Sequence, residues 1–398
     1  MTLLIDPPNS PGHGRLWSHL ASDESFEELH RFAERLGIPQ RGFDRDHYDI
    51  PAERYDKVVA AGATPVTSRE LISRLRAAGL RRRKADVLAP RRAGRTLVRP
   101  ERLRPGSRVA VVSPSGPVPD APLDEAVVLL GSWGLDVVLM DHARGTHEHF
   151  AYLAAVDSAR ARDFMRGWLD PDVAGVFAAR GGYGSQRMVD LLDWQAIAEA
   201  GPKVLLGFSD VTALHQAFAS RLGMVTVHGP VLTSLVSGEE ATREHLRRLL
   251  FEPAPMTLTP EPVDVVVPGR AEGVLVGGNL ALVAAELGTR NSSTAADSIA
   301  VLEDVGEDLY RLDRLVTQLL RAGWFQRVRG IALGQFTDCG APASVRSLMR
   351  DRLGPLGVPV LWGVPVGHGP ANLAFPFGVP ATIDADAGTL RLDSAGLL

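Results

Sequence analysis

The chain has 398 residues, 45% of them hydrophobic and 23% charged, an ordinary globular composition whose length suits two or three domains. A formal net charge of −4 gives no global reason to expect a nucleic-acid partner. The single cysteine, Cys339, excludes an intramolecular disulfide and suits a reducing compartment. The opening MTLLID turns acidic at Asp6 and meets Pro7 and Pro8, which is not a signal-peptide pattern. No apolar run reaches membrane-span length, so the expectation is a cytoplasmic enzyme with no membrane partner.

Residues 1–80 read as a small α/β domain. Ser25 and Glu28 have capping-box spacing. Phe26, Leu29, Phe32, Ala33 and Leu36 then form a helical apolar stripe, closed by Gly37. Thr67 and Glu70 repeat the signal before Leu71, Ile72 and Leu75, with Gly79 as the stop. Residues 81–102 open a basic, aperiodic stretch that reads as a linker. From about 103 to 255 strand and helix patterns alternate. The strands are expected at Val109–Val112, Val137–Met140, Val173–Ala179, Val204–Phe208 and Val225–Val227. That alternation predicts a parallel, Rossmann-like sheet with helices on its faces. Ligands of such sheets bind beyond the carboxyl ends of the strands. The loops SPSGPV (113–118), ARGGYG (179–184) and GFSD (207–210) follow strands and should line that edge. Five prolines in 251–268 separate this part from residues 269–398, where short β-like runs and one clear helix, Tyr310–Ala322, predict a β-rich domain.

Ser209 stands where a buried strand turns sharply into a helix marked by Val211, Leu214, Phe218 and Leu222. This is the mechanical idea of a nucleophile elbow, although GFSD lacks the second glycine of G-x-S-x-G. A plain helix N-cap is the alternative. Glu303, at the end of an apolar strand, and His368, on a Gly/Pro-rich loop, complete a serine–acid–histidine order usable as a triad. On chemistry alone Asp304 rivals Glu303, and His215 and His228 rival His368. The glycines of ARGGYG suit an oxyanion or carboxylate cradle better than a phosphate loop, and Arg180 could hold a substrate carboxylate or brace the loop. Nothing near Cys339 suggests an activated thiol.

Five ordered segments complete the pattern: GVFAARGGYGSQRMVDLLDW, KVLLGFSDVTALHQAF, AEGVLVGGNLALV, IAVLEDVGEDLYRLDRLVTQLL and VPVGHGPANLAFPFGVPATID. Together with RPGSRVAVVSPSGPV, they resemble the LD-carboxypeptidase family of serine peptidases over residues 103–390. The resemblance implies a Rossmann-like N-terminal domain (103–255), a β-rich C-terminal domain (269–398), and usually a homodimer. It implies removal of a terminal D-amino acid, typically D-alanine from a murein tetrapeptide. A branch of the family instead hydrolyses peptidyl-adenylate antibiotics of the microcin C type. Carried onto this sequence, it makes Ser209 the nucleophile, Glu303 the acid and His368 the base. The backbone N–H groups of Asp210 and Gly182 become the oxyanion hole, and Arg180, Tyr183 and Asn279 pocket residues, with no metal and no cofactor. A non-catalytic module binding murein peptide or nucleotide is the other class of reading.

Residues 1–80 lie outside that resemblance and resemble a small bacterial domain family of unknown function. They hold His13, His19, His30 and His47, with Asp6, Asp23, Asp46 and Asp49. These types can bind metal, but their spacing matches no defined site, and His30 is expected on the polar side of its helix. A plain folded domain is the expectation here.

Overall fold

The computed structural model describes residues 3–12, 15–39, 42–44, 46–78, 80 and 98–398, in two units, Met1–Ala89 and Pro90–Leu398. His13, Gly79 and most of the expected linker fall outside the described residues.

In the first unit a sheet runs in the order Phe43–Asp44, His47–Pro51, Arg15–Ser22, Leu3–Ile5, Thr64–Pro65, with Ser10–Gly12 paired to Arg15–Ser22. Strand alternation sends Leu20, Tyr48 and Ile50 into a core with Leu29 and Phe32 of the helix Phe26–Arg35. Each such large apolar side chain contributes about 1.5–3 kcal/mol on burial. Ser25 caps that helix by accepting from the Glu28 N–H. The Glu28 carboxylate, however, accepts from Ser22 Oγ at 2.5 Å, and Ser22 Oγ in turn accepts from the Ser25 N–H. The expected capping box is thus rerouted through a third residue. His30 corrects another expectation. It is half-buried, its Nδ1 lies 2.8 Å from the Tyr48 hydroxyl, and its ring packs on Phe43.

The second unit holds two sheets. The first runs in the order Phe375–Phe377, Thr226–His228, Val204–Gly207, Val173–Ala178, Arg108–Val112, Asp136–Leu139. All neighbours are parallel except the first pair. Its central strands are buried on both faces, which is why they read as continuous apolar runs. Ala110 and Val112 pack in the core cluster of Phe164 and Trp168, and Val109 and Val111 in that of Leu123 and Leu130. Residues 98–103, at and just past the end of the basic stretch, belong to this body. Val98 exchanges backbone hydrogen bonds with Gly223 and Val225, and Leu103 is buried.

The second sheet has eight strands. Its centre, Arg270–Asn279, Ser298–Val305, Gly330–Thr337 and Val360–Trp362, is parallel. Antiparallel strands frame it, including Met256–Leu258 and Asp264–Val267 from the proline-containing stretch between the two parts. Leu309–Arg321 is the helix expected near 310–322. The architecture is therefore a Rossmann-like parallel sheet and a β-rich C-terminal part, preceded by a small α/β unit. One crossing was not foreseen. The chain leaves the second sheet after Trp362, passes through His368, and adds Phe375–Phe377 to the edge of the first sheet.

Candidate active site

The strand Val204–Gly207 ends at Phe208, and Ser209 follows with φ 61°. A non-glycine residue in this left-handed region costs about 1–3 kcal/mol and persists only where its surroundings enforce it. The neighbours supply that enforcement. Gly207 admits no side chain, since a Cβ there would stand 2.9 Å from both Val211 methyls. Gly181 is equally constrained, for its Cβ would lie 3.0 Å from Ser209 Cβ and 3.1 Å from Ser209 Oγ. The ARGGYG loop therefore lies directly against the serine hydroxyl. The extended residue before the turn is Phe208, and no side chain caps it. Ser209 is thus not the N-cap that the bland alternative required. The helix beyond starts as a 3₁₀ turn, Ser209–Val211, and ends as a π turn, Phe218–Leu222.

Three loops are tied beneath the elbow by groups the sequence did not single out. The buried Asp210 carboxylate accepts from Ser115 Oγ at 2.5 Å and from the Ser185 N–H at 2.7 Å. Ser115 and Ser185 also share a hydrogen bond at 3.1 Å. Arg160 is buried on the face of its helix shared with Phe164 and Gly167. It donates to the carbonyls of Pro114, Ala155 and Gly184 and pairs with Asp157. Desolvation pushes its pKa below the usual arginine value, against the raising effect of Asp157. An arginine four and seven residues before Phe164 and Gly167, on the inward face of the helix, was the available signal for this brace.

Arg180 is exposed and donates to the Pro117 carbonyl at 2.7 Å. Tyr183 is exposed beside Tyr152, their ring centroids 5.9 Å apart. Gly182 adopts φ 112° and is exposed. All three belong to the loop whose Gly181 abuts Ser209.

Glu303 and His368 meet from the other sheet. Glu303 is buried near the end of the strand Ser298–Val305, where pairing to Gly330–Thr337 shifts register between Leu302 and Asp304. His368 Nδ1 lies 2.7 Å from Glu303 Oε2. Its ring packs on Phe208, centroids 4.6 Å apart, immediately beside Ser209. Gly367, at φ 112°, is required here, because a Cβ would stand 2.7 Å from Glu303 Oε2. A histidine bound through Nδ1 to a buried carboxylate keeps Nε2 for proton exchange.

The rivals occupy other positions. Asp304 accepts from Asn279 Nδ2 at 2.9 Å, from the Val305 N–H at 2.8 Å and from the Ala281 N–H at 3.0 Å. Burial, helped by the Glu303 charge, pushes its pKa up to about 6. Asn279 sits opposite Glu303 in the parallel register, but its side chain is engaged. Its carbonyl caps the helix Leu280–Ala285 and its amide holds Asp304. His215 points back through the irregular turn to the Gly207 carbonyl, with Nε2 at 2.8 Å, and burial lowers its pKa to about 4. His228 is buried among Phe208, Phe375 and Phe377, and burial drives its pKa well below the usual range. Cys339 is buried, and burial pushes its thiol pKa up.

Comparison with known proteins gives the family to which this fold belongs. The LD-carboxypeptidase N-terminal domain matches residues 109–229 and the LD-carboxypeptidase C-terminal domain residues 272–383. A domain of unknown function, DUF4031, matches residues 3–78. The chain is 52% identical, over 76% of its length and 98% of the relative's, to a Streptomyces coelicolor protein provisionally named a carboxypeptidase. It is 35% identical to the murein tetrapeptide carboxypeptidase of Pseudomonas aeruginosa, over 70% of this chain and 94% of that one. The crystal structure of muramoyltetrapeptide carboxypeptidase from Oxalobacter formigenes superposes with a TM-score of 0.63 at 28% identity, covering 72% of this chain and 97% of that one. An MccF-like protein from Bacillus anthracis superposes with a TM-score of 0.68 at 25% identity, covering 74% and 99%. Ordered motifs, paired sheets and relatives matched along nearly their whole length place this chain in the LD-carboxypeptidase family.

Proposed function

We propose that this chain is a serine L,D-carboxypeptidase that removes the terminal D-alanine of murein tetrapeptides in cell-wall peptide recycling. The carrying observation is the strained Ser209 beside Phe208, whose ring packs on a histidine hydrogen-bonded to buried Glu303. In this reading Ser209 Oγ attacks the carbonyl of the L,D-peptide bond while His368 Nε2 takes its proton. Glu303 Oε2 accepts from His368 Nδ1–H, fixing the tautomer and stabilising the imidazolium. The backbone N–H groups of Asp210 and Gly182 hold the oxyanion, each worth about 3 kcal/mol in known sites. His368 then protonates the departing D-alanine amine and activates the water that clears the acyl-enzyme. Arg180 and Tyr183 receive the substrate. Asn279 acts through Asp304, by holding the strand ends where Glu303 emerges. The enzyme works in the cytoplasm, as a homodimer, without a metal at Ser209.

The murein substrate is favoured over a peptidyl-adenylate because relatives with murein names are 35% and 28% identical, against 25% for the MccF-like protein. Likeness to an MccF-like protein keeps the adenylate branch of the family as the second reading. The test is release of D-alanine from murein tetrapeptide by the wild type and by Ser209→Ala, followed by mass spectrometry, with an aminoacyl sulfamate adenosine in parallel. Release by the wild type alone is expected. Equal release by Ser209→Ala refutes the nucleophile. Turnover or tight binding of the adenylate compound alone replaces the substrate.

A further inference from the structure

The first unit carries a constellation that the peptidase chemistry does not use. His47 and Asp49 stand two residues apart on the strand His47–Pro51, hence on one face. His19, on the neighbouring strand, is the direct cross-strand partner of Asp49. The intervening residues Leu20, Tyr48 and Ile50 fill the core on the opposite face. His19, His47 and Asp49 each offer one ligand atom, and the three atoms lie within 4.8 Å of one another. His47 Nε2 is 3.4 Å and His19 Nε2 is 4.0 Å from Asp49 Oδ1. Ligand atoms about 2.1 Å from a tetrahedral ion stand about 3.4 Å apart, so one pair is already at that spacing and the widest must close by at most about 1.4 Å.

The groups behind the two imidazoles distinguish this set from a surface charge cluster. Buried Asp6 holds His19 Nδ1 at 3.0 Å and accepts from the His19 N–H at 2.6 Å and Ser68 Oγ at 2.6 Å. Buried Asp46 holds His47 Nδ1 at 2.7 Å. Each imidazole is therefore fixed through Nδ1 by a buried carboxylate, and both Nε2 atoms face Asp49. Carboxylate–histidine pairs of this kind orient metal ligands and raise their basicity. Asp49 is 46% exposed, so the third ligand stands at a solvent-open mouth.

We propose that the N-terminal unit binds one divalent transition-metal ion of the zinc type through His19 Nε2, His47 Nε2 and Asp49, with Asp6 and Asp46 as the orienting carboxylates. Two imidazoles and one carboxylate suit Zn²⁺ and its neighbours over Mg²⁺ or Ca²⁺. Three protein ligands leave a coordination position open to water or to an anionic ligand, the pattern of reactive rather than purely structural sites.

The test uses the full chain, stripped with chelator and titrated with Zn²⁺ by calorimetry, with bound metal counted by mass spectrometry. One equivalent per chain is expected, and Co²⁺ in its place should give the visible absorption of a tetrahedral site. Asp49→Ala, at an exposed position, keeps the fold by circular dichroism and weakens Zn²⁺ at least tenfold. Asp6→Asn, whose side chain bonds His19 and Ser68 among the described residues, weakens it about 10–100-fold by loosening His19. A wild type that binds no equivalent, or an Asp49→Ala chain that binds within tenfold of wild type, overturns the proposal.

Discussion

Acidifying the protein should penalise its fold through His215, and the size of that penalty can be worked out. The ring is buried, its Nε2 donates to the Gly207 carbonyl, and its pKa falls from 6.5 to about 4. Because the folded value is the lower one, the unfolded chain binds the proton first. Stability is therefore intact above pH 6.5 and is lost as pH falls towards 4. With 1.36 kcal/mol per pKa unit, the loss is about 2 kcal/mol at pH 5 and about 3 kcal/mol at pH 4. Asp304 works against it in the same window. Its folded pKa, about 6, lies above the unfolded 3.8, so its contribution is present at low pH and fades as pH rises through 6. Buried His228, with its own lowered pKa, adds to the acid loss, so the wild-type curve mixes several groups and only a difference curve isolates His215. His215→Gln keeps an amide N–H for the Gly207 carbonyl and removes the titration. Any packing offset is independent of pH and subtracts out. Urea unfolding of both chains at pH 7, 6, 5 and 4 should show the variant gaining about 3 kcal/mol on wild type across the series. A difference that stays constant with pH would refute the claim that His215 is held neutral by burial.

Three other substitutions probe the site. Glu303→Gln should leave the fold intact and lower kcat by about 10⁴, since the histidine then loses its tautomer lock; turnover near wild type would remove Glu303 from the triad. Gly367→Ala forces a methyl to 2.7 Å from Glu303 Oε2 at a φ of 112°, and the displaced carboxylate should cost about 100-fold in kcat/KM. Unchanged kinetics there would show that the His368 loop tolerates what its geometry forbids. Arg160→Leu strands the carbonyls of Pro114, Ala155 and Gly184 and should cost about 3–5 kcal/mol in urea unfolding, with a loss under 1 kcal/mol counting against the brace.

Much of this was legible because buried parallel strands print themselves as apolar runs. Val204–Gly207 and Val173–Ala178 lie within a residue or two of their expected limits, and the loops after them gather around Ser209 as strand direction requires. What stayed hidden depends on long-range pairing. The strand Phe375–Phe377 is three residues long and contains Pro376, so no local pattern marks it. Yet its pairing with Thr226–His228 brings His368 to Phe208. Asp304 and Glu303 are chemically interchangeable in the sequence. A register shift at that strand end separates them, pointing one to His368 and the other to Asn279. The ligand set of the first unit was invisible for a related reason. His19 and Asp49 are distant in sequence and meet only through strand register.

The late strand also sets an order of events during synthesis. At about 5–20 residues per second, the ribosome delivers Phe375 on the order of ten to thirty seconds after Ser209. Through that interval the residues of Arg108–Val112, Val173–Ala178 and Val204–Gly207 have already been synthesised, while Glu303 and His368 are still being made or await their pairing. The growing polypeptide thus carries Ser209 without its proposed histidine partner until the segment around His368 has been made. The meeting of His368 with Glu303 and Phe208 is therefore a late event, coupled to the closing of the sheet edge.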